Sequence, residues 1–304
     1  METMEKAQEF VYKNARPIDL ARWNYLFENG ESAEVIKYLI AYQNKDGGFG
    51  NALEPDSWNE KSTPLQTWAA TKIIKEIGLE NQSHPLISGI LEYLSSGDEF
   101  DGHRWRGLNT VQSNNEFPHA PWWTYLQNNE MSYNPTASLI GFILKFADEK
   151  EPLHIMARGL AHEAYSYFKK NFPLESMHES ACFVDLYEYM KECNIQDLLD
   201  LEEFRSLLQQ QIKNTITYHT DTWNTDYVCK PSQFIASKNS DFYSGNEEIC
   251  CFECDFIKQS QNADGAWNVN WNWDEYPEQW SISKNWWKSD IIIRNMTFLK
   301  AFQA

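Results

Sequence analysis

The chain has 304 residues, 42% hydrophobic and 23% charged, a balance that excludes disorder and supplies apolar surface for a large packed core. A net charge of −18 sets an acidic surface against nucleic acid and anionic lipid, which excludes both as partners. No apolar run approaches the ~20 residues of a membrane span, and the start, Met1-Glu2-Thr3-Met4-Glu5-Lys6, lacks the pattern of a secretory leader, so a cytoplasmic protein is expected.

Taken in order, the chain reads as a series of helices. Segments 4–14 and 17–28 are split by Pro17, and Leu20, Trp23, Leu26 and Phe27 form one helical face in the second. Asn29-Gly30 stops it. A helix over 32–43 buries Val35, Ile36, Leu39 and Ile40 and runs into Gln43-Asn44-Lys45-Asp46-Gly47-Gly48-Phe49. That string reads as a helix stop. Asn and Asp satisfy loose backbone groups, Gly takes a conformation a side chain forbids, and the aromatic folds back. An irregular piece, Asn51 to Trp58, follows. Ser62-Thr63-Pro64 then opens a helix to about Ile77, with a hydroxyl cap and Pro at the first position.

His84-Pro85 opens the next helix, to Ser96. Residues 97–133 are poor in helix pattern and carry Asp101-Gly102-His103-Arg104-Trp105, a degenerate copy of the stop. Asn134-Pro135 starts a helix to about Asp148, and three more are expected over 152–171, 176–193 and 198–217. The stretch 219–245 is irregular and aromatic. A helix over 246–260 leads into Gln261-Asn262-Ala263-Asp264-Gly265-Ala266-Trp267, the second full stop. A Trp-rich loop from Trp267 to Trp287 and a last helix over 290–302 close the chain.

About eleven helices and no strands predict an all-α fold, a single domain over 1–304. The closed solution for alternating short and long links is a double ring of helices, an (α/α)6 toroid with long aromatic loops on one face. A helical solenoid is the alternative. Six cysteines read as buried reduced thiols. The cluster Cys250, Cys251, Cys254 lacks a downstream fourth ligand, so no metal is expected. No phosphate loop or nucleotide fingerprint occurs, and no cofactor is expected.

The strings Gln43–Phe49 and Gln261–Trp267, each after an apolar helix, resemble the Gln-Trp repeat of squalene and other terpenoid cyclases and the related stop of protein prenyltransferase β-subunits. The segment Gly47 to Asp56, with Gln66, is similar to small bacterial toroid proteins labelled prenyltransferase-like. The resemblance implies an α/α toroid with a cavity for an isoprenoid. It does not extend to catalytic motifs. The Asp-x-Asp-Asp acid of class II cyclases, the Asp-Asp-x-x-Asp of class I enzymes and the zinc set of prenyltransferases are all missing from the sequence.

Three constellations remain as candidates for chemistry. Glu54-Pro55-Asp56 places two carboxylates on a proline-stiffened loop before a helix; in an aromatic cavity one of them becomes a general acid, and otherwise they lie on a solvated loop or cap the helix that starts at Pro64. His119, between Pro118 and Pro121 and beside Trp122 and Trp123, is a base or orienting group, or a packed histidine. Asp226 stands near Trp223, Tyr227 and Lys230 and pairs with Glu54 or Asp56 in a glycosidase reading. Trp58, Trp122, Trp123, Trp223, Tyr227, Lys230, Tyr243 and Trp273 are the expected substrate-binding residues, since aromatic walls stabilise carbocations and stack on sugars.

Three functions follow: acid-initiated cyclisation or isomerisation of an apolar isoprenoid, an (α/α)6 carbohydrate-active enzyme with paired carboxylates, and a non-catalytic binding toroid. The first is favoured. The expected partner is a small molecule, apolar or sugar. A polar pocket open at one face distinguishes the second function from the first.

Overall fold

The computed structural model describes residues 2–127 and 132–303. Among them the chain is all-α, as expected: eleven α-helices, a few short 3-10 turns, and isolated bridges between loops in place of strands. No described helix is long and apolar enough to cross a membrane. The capping chemistry follows the sequence. Thr63 Oγ1 accepts from the Gln66 N–H at 3.2 Å ahead of Pro64, and His84 Nδ1 accepts from Leu86 N–H at 3.2 Å ahead of Pro85.

Two compact units emerge, one of residues 42–215 and one of residues 1–41 with 216–304. The first holds α4 (Pro64–Glu76), α5 (Pro85–Ser96), α6 (Thr136–Phe146), α7 (Pro152–Lys170), α8 (Met177–Glu192) and α9 (Leu201–Thr215). Its centre is α6, where every residue but Lys145 is buried, packed between α7 and α8. A helix apolar all round is a core helix. Buried Asp185 on α8 ties the neighbours together: Lys72 Nζ of α4 lies 3.0 Å away and Ser138 Oγ of α6 donates at 2.9 Å. Burial alone raises the Asp185 carboxyl, but Lys72 and Lys75 outweigh it and hold it below its usual range.

The second unit holds α1 (Glu2–Asn14), α2 (Pro17–Phe27), α3 (Ser32–Leu39), α10 (Glu247–Gln259) and α11 (Pro277–Gln303), with α11 as the spine against which α1, α2 and α10 pack. It too is fastened by a buried carboxylate. Arg22 of α2 reaches Asp290 of α11 at 2.9 Å and Asp19 at 3.2 Å, and Arg16 closes on Asp19 at 2.7 Å.

The main departure from expectation is α11. It begins at Pro277, not near residue 290, so Trp280, Trp286 and Trp287 are helical. Tyr276, at φ +56°, turns the chain into the helix and Pro277 occupies its start. The signal was hidden because buried positions such as Trp280, Ser283, Ser289, Ile292 and Ile293 lie on several sides of the helix, which blurs a 3.6-residue stripe.

Candidate functional site

The two full stops share the same core of hydrogen bonds. In each, the Gln amide donates to the carbonyl of the motif glycine at 2.9 Å (Gln43 to Gly47, Gln261 to Gly265). The same amides reach a second backbone, Leu86 O of α5 at 3.3 Å and Thr3 O of α1 at 2.9 Å. Asp46 and Asp264 each accept from the amide two residues on, at 3.0 and 3.1 Å. Gly47 and Gly265 have φ of +87° and +89°, and a Cβ on either would lie 2.1 Å from a helix carbonyl, of Gly89 and Lys6 respectively. Phe49 and Trp267 are buried. Each stop is therefore a clamp that seats its own turn on a second helix.

The loop 51–59 is held next to the first stop. Buried Gln66 of α4 accepts from Leu53 N–H at 2.9 Å and donates to Asn59 O at 3.0 Å. Within it Glu54 and Asp56 are buried, and Glu54 Oε2 accepts from the Asp56 N–H at 3.1 Å. The loop lies along 118–120: Trp58 N–H donates to Pro118 O at 2.9 Å and Ala120 N–H to Asp56 O at 2.8 Å, with a bridge between Ser57 and His119. The structure thus brings Glu54, Asp56 and His119 onto one buried loop pair. His119 Nδ1 lies 2.6 Å from Phe117 O and Nε2 3.1 Å from Thr124 Oγ1. A carbonyl only accepts, so Nδ1 donates to Phe117 O, and Nε2 shares a hydrogen bond with the Thr124 hydroxyl. These two contacts hold the ring on both sides and lock the loop.

The remaining sequence candidates divide between the two units. Trp58 and Trp122 are half-buried and Trp123 is buried in the same unit. Asp226 belongs to the other unit, on an exposed turn, accepting from Thr225 Oγ1 at 2.9 Å. In that unit Trp223 and Trp273 are core residues, Tyr227 is 52% exposed, and Tyr243 packs on Phe302 with ring centroids 5.5 Å apart. Lys230 sits over the rings of Trp223 and Phe256.

A cleft of about 450 Å³ opens elsewhere in the 42–215 unit, at the degenerate third turn. His103 and Arg104 come from that turn, Tyr133 from the approach to α6, and His162, Glu163, Ser166 and Tyr167 from one face of α7. The turn is built by Asp101, whose Oδ1 accepts from the amides of His103 and Arg104 at 2.8 and 2.7 Å, with Gly102 at φ +99°. Trp105 is buried beneath, its N–H donating to Thr136 Oγ1 at 2.9 Å, which aims the two preceding side chains outward.

Inside the cleft the Arg104 guanidinium lies 5.5 Å from the Tyr133 ring centroid, and Tyr133 and Tyr167 stand 4.8 Å apart at 47°. His103 Nδ1 is 2.8 Å from Glu163 Oε2 at the rim. Behind the tyrosines, buried Glu179 of α8 accepts from Tyr133 N–H at 2.6 Å and from the Tyr167 hydroxyl. Burial pushes the Glu179 carboxyl up, against those hydrogen bonds and the charge of Arg104. Among the described residues no group of three or more His, Cys, Asp or Glu side chains is placed to hold a metal ion. The chemistry on offer is a guanidinium, two imidazoles, a carboxylate, a serine hydroxyl and two phenols around one open space.

Sequence reasoning named His103 and Arg104 only as part of the degenerate third stop and offered none of the cleft residues as a site. The signal that could have found them is Arg104, one position earlier than the aromatic in a turn that otherwise repeats the stop. No protein-family model, curated protein or solved structure matches the chain.

Proposed function

We propose that the chain is a cytoplasmic α/α-toroid protein that binds a small, polar, ring-shaped molecule, a carbohydrate, in the cleft of the 42–215 unit. One observation carries the reading. The cleft is open, its lining side chains all end in hydrogen-bonding groups, and Tyr167 stands at its wall with its ring backed by buried Tyr133. Sugars are held in this way, by stacking on aromatic rings and by bonds to hydroxyls from Arg, His, Glu and Ser. An apolar isoprenoid leaves those groups desolvated and unpaired, at a cost of about 1–3 kcal/mol each.

Glu163 and Glu179 flank the cleft, and Glu179 has the raised carboxyl a general acid needs. Its two hydrogen bonds to the tyrosines make it a positioning residue for ligand binding. The isoprenoid reading keeps one specific support: the full stops repeat the same hydrogen bonds twice, which favours the terpenoid-cyclase type of toroid.

Titration calorimetry of the purified chain against neutral mono- and disaccharides, farnesol and farnesyl diphosphate tests the proposal. Saccharide binding that falls at least about tenfold in both Arg104→Ala and Tyr167→Ala is the expected result. Farnesol binding unaffected by either variant returns the isoprenoid function to first place. Saccharide binding insensitive to both variants moves the site out of this cleft.

A further inference from the structure

The cleft has a charge balance unlike the rest of the chain. The sequence carries 44 acidic side chains against 26 lysines and arginines. The cleft reverses that ratio: Arg104, His103 and His162 line it together with one carboxylate, Glu163. That carboxylate is already engaged, with His103 Nδ1 2.8 Å from its Oε2. Two further acids, close enough to act on Tyr133, are occupied as well. Asp101 Oδ1 accepts the amides of His103 and Arg104 at 2.8 and 2.7 Å. Glu179 takes the Tyr133 N–H at 2.6 Å and the Tyr167 hydroxyl, and burial pushes its carboxyl toward the uncharged form.

Arg104 is aimed by its neighbours. Asp101 fixes its amide, and Trp105 beside it is anchored by its N–H to Thr136 Oγ1 at 2.9 Å. Its guanidinium stands 5.5 Å from the Tyr133 ring centroid. A guanidinium resting on a ring keeps its coplanar N–H groups for a partner at its edge. The partner that matches that fork is a planar anion with two oxygens. A neutral sugar over Arg104 strips water from the cation and returns only neutral hydrogen bonds. A phosphate ester brings about −1.5 to −2 charges to a single permanent cation, with Glu163 in the same lining. One carboxylate balances that cation.

Within the carbohydrate reading, on which this rests, we infer that the cleft binds an acidic sugar, a uronic acid, with its carboxylate on the Arg104 guanidinium and its ring against Tyr167. His103, His162 and Ser166 meet the sugar hydroxyls. A space of about 450 Å³ holds one or two sugar rings.

The measurement is titration calorimetry at pH 7 and low salt with glucuronic acid, its uncharged methyl ester, glucose and glucose 6-phosphate. Glucuronate is expected to bind at least about tenfold tighter than glucose or the ester, as a charge-assisted pair of hydrogen bonds provides. That advantage is expected to shrink as salt is raised. Arg104→Gln is expected to bring glucuronate and glucose to within about twofold of each other, and Arg104→Lys, which keeps the charge without the fork, to retain part of the preference. The ester comparison needs no variant, so it stands even where a substitution disturbs the fold. Glucose and glucuronate bound equally, and both weakened by Tyr167→Ala, overturn the acidic sugar and leave the carbohydrate cleft in place. Glucose 6-phosphate bound more tightly than glucuronate overturns the carboxylate. A preference for glucuronate that survives unchanged in Arg104→Gln overturns the part given to Arg104. Binding of none of the four overturns the carbohydrate reading and the acidic sugar with it.

Discussion

The first stop and the third turn use one piece of backbone chemistry to opposite ends. Both place an Asp before a left-handed glycine and accept the following amides on Asp Oδ1. At Gly47 the turn is pressed onto the carbonyl of Gly89, leaving no room for a methyl group. At Gly102 nothing lies within 4 Å of where a Cβ would stand. In the first, Phe49 follows the Gly-Gly pair directly into the core. In the third, Trp105 comes one position later, and His103 and Arg104 are left facing open space. One added residue before the aromatic converts a clamp between helices into the lip of a cleft.

The largest expected effect separates the clamps from the lip. Gly47→Ala and Gly265→Ala each force a Cβ to 2.1 Å from a backbone oxygen in addition to a positive φ. Each is expected to cost more than about 3 kcal/mol in urea unfolding, the range of severe core damage. Gly102→Ala meets only the positive φ and should cost about 1–2 kcal/mol. Equal losses at Gly47 and Gly102 would break the distinction. Next comes the Gln amide, which the third turn lacks because Asp98 stands at that spacing. Gln43→Ala or Gln261→Ala leaves carbonyls of the turn and the docked helix unpaired, for an expected loss of about 1–3 kcal/mol.

A pH series sharpens the comparison further. The third turn is backed by Glu179, whose carboxyl is raised by burial. A carboxyl raised in the folded state favours folding while protonated. That contribution is complete below the ordinary carboxylate value and is lost as pH rises through the raised folded value. The melting temperature of the wild type should therefore fall, relative to Glu179→Gln, as pH climbs from about 4 toward neutrality. A difference that grows in the other direction would mean that Arg104 and the tyrosine hydrogen bonds outweigh burial.

What could be read from the sequence follows the range of the interactions. Thr63-Pro64, His84-Pro85 and the two Gln-Asn-x-Asp-Gly strings are local, so the residues that make the structure are adjacent in the chain and declare it. The all-α class came from those signals. The buried loop pair of Glu54 and His119 was legible as two unusual proline-bearing segments, but their pairing was not, because 60 or so residues separate bonded partners. The cleft was invisible for the same reason: Arg104, Tyr133, Tyr167 and Glu179 come from four segments that only helix packing unites. Three of the tryptophans expected to bind substrate, Trp123, Trp223 and Trp273, are buried in packed interior.

The smallest expected effect lies at the cleft rim, and its smallness is informative. His103 and Glu163 approach to 2.8 Å, yet their side chains are 66% and 48% exposed. An exposed pair gains little, because water solvates both partners and ordering two side chains offsets the attraction, so Glu163→Gln should change the unfolding free energy by less than about 1 kcal/mol. In the proposed reading the pair at the mouth of the cleft serves ligand binding and not stability. It holds His103 across the opening, beside Arg104. Saccharide affinity should drop in Glu163→Gln while urea unfolding stays at wild type. Loss of stability without loss of affinity would make the pair a fastener between the third turn and α7, and the third turn a clamp after all.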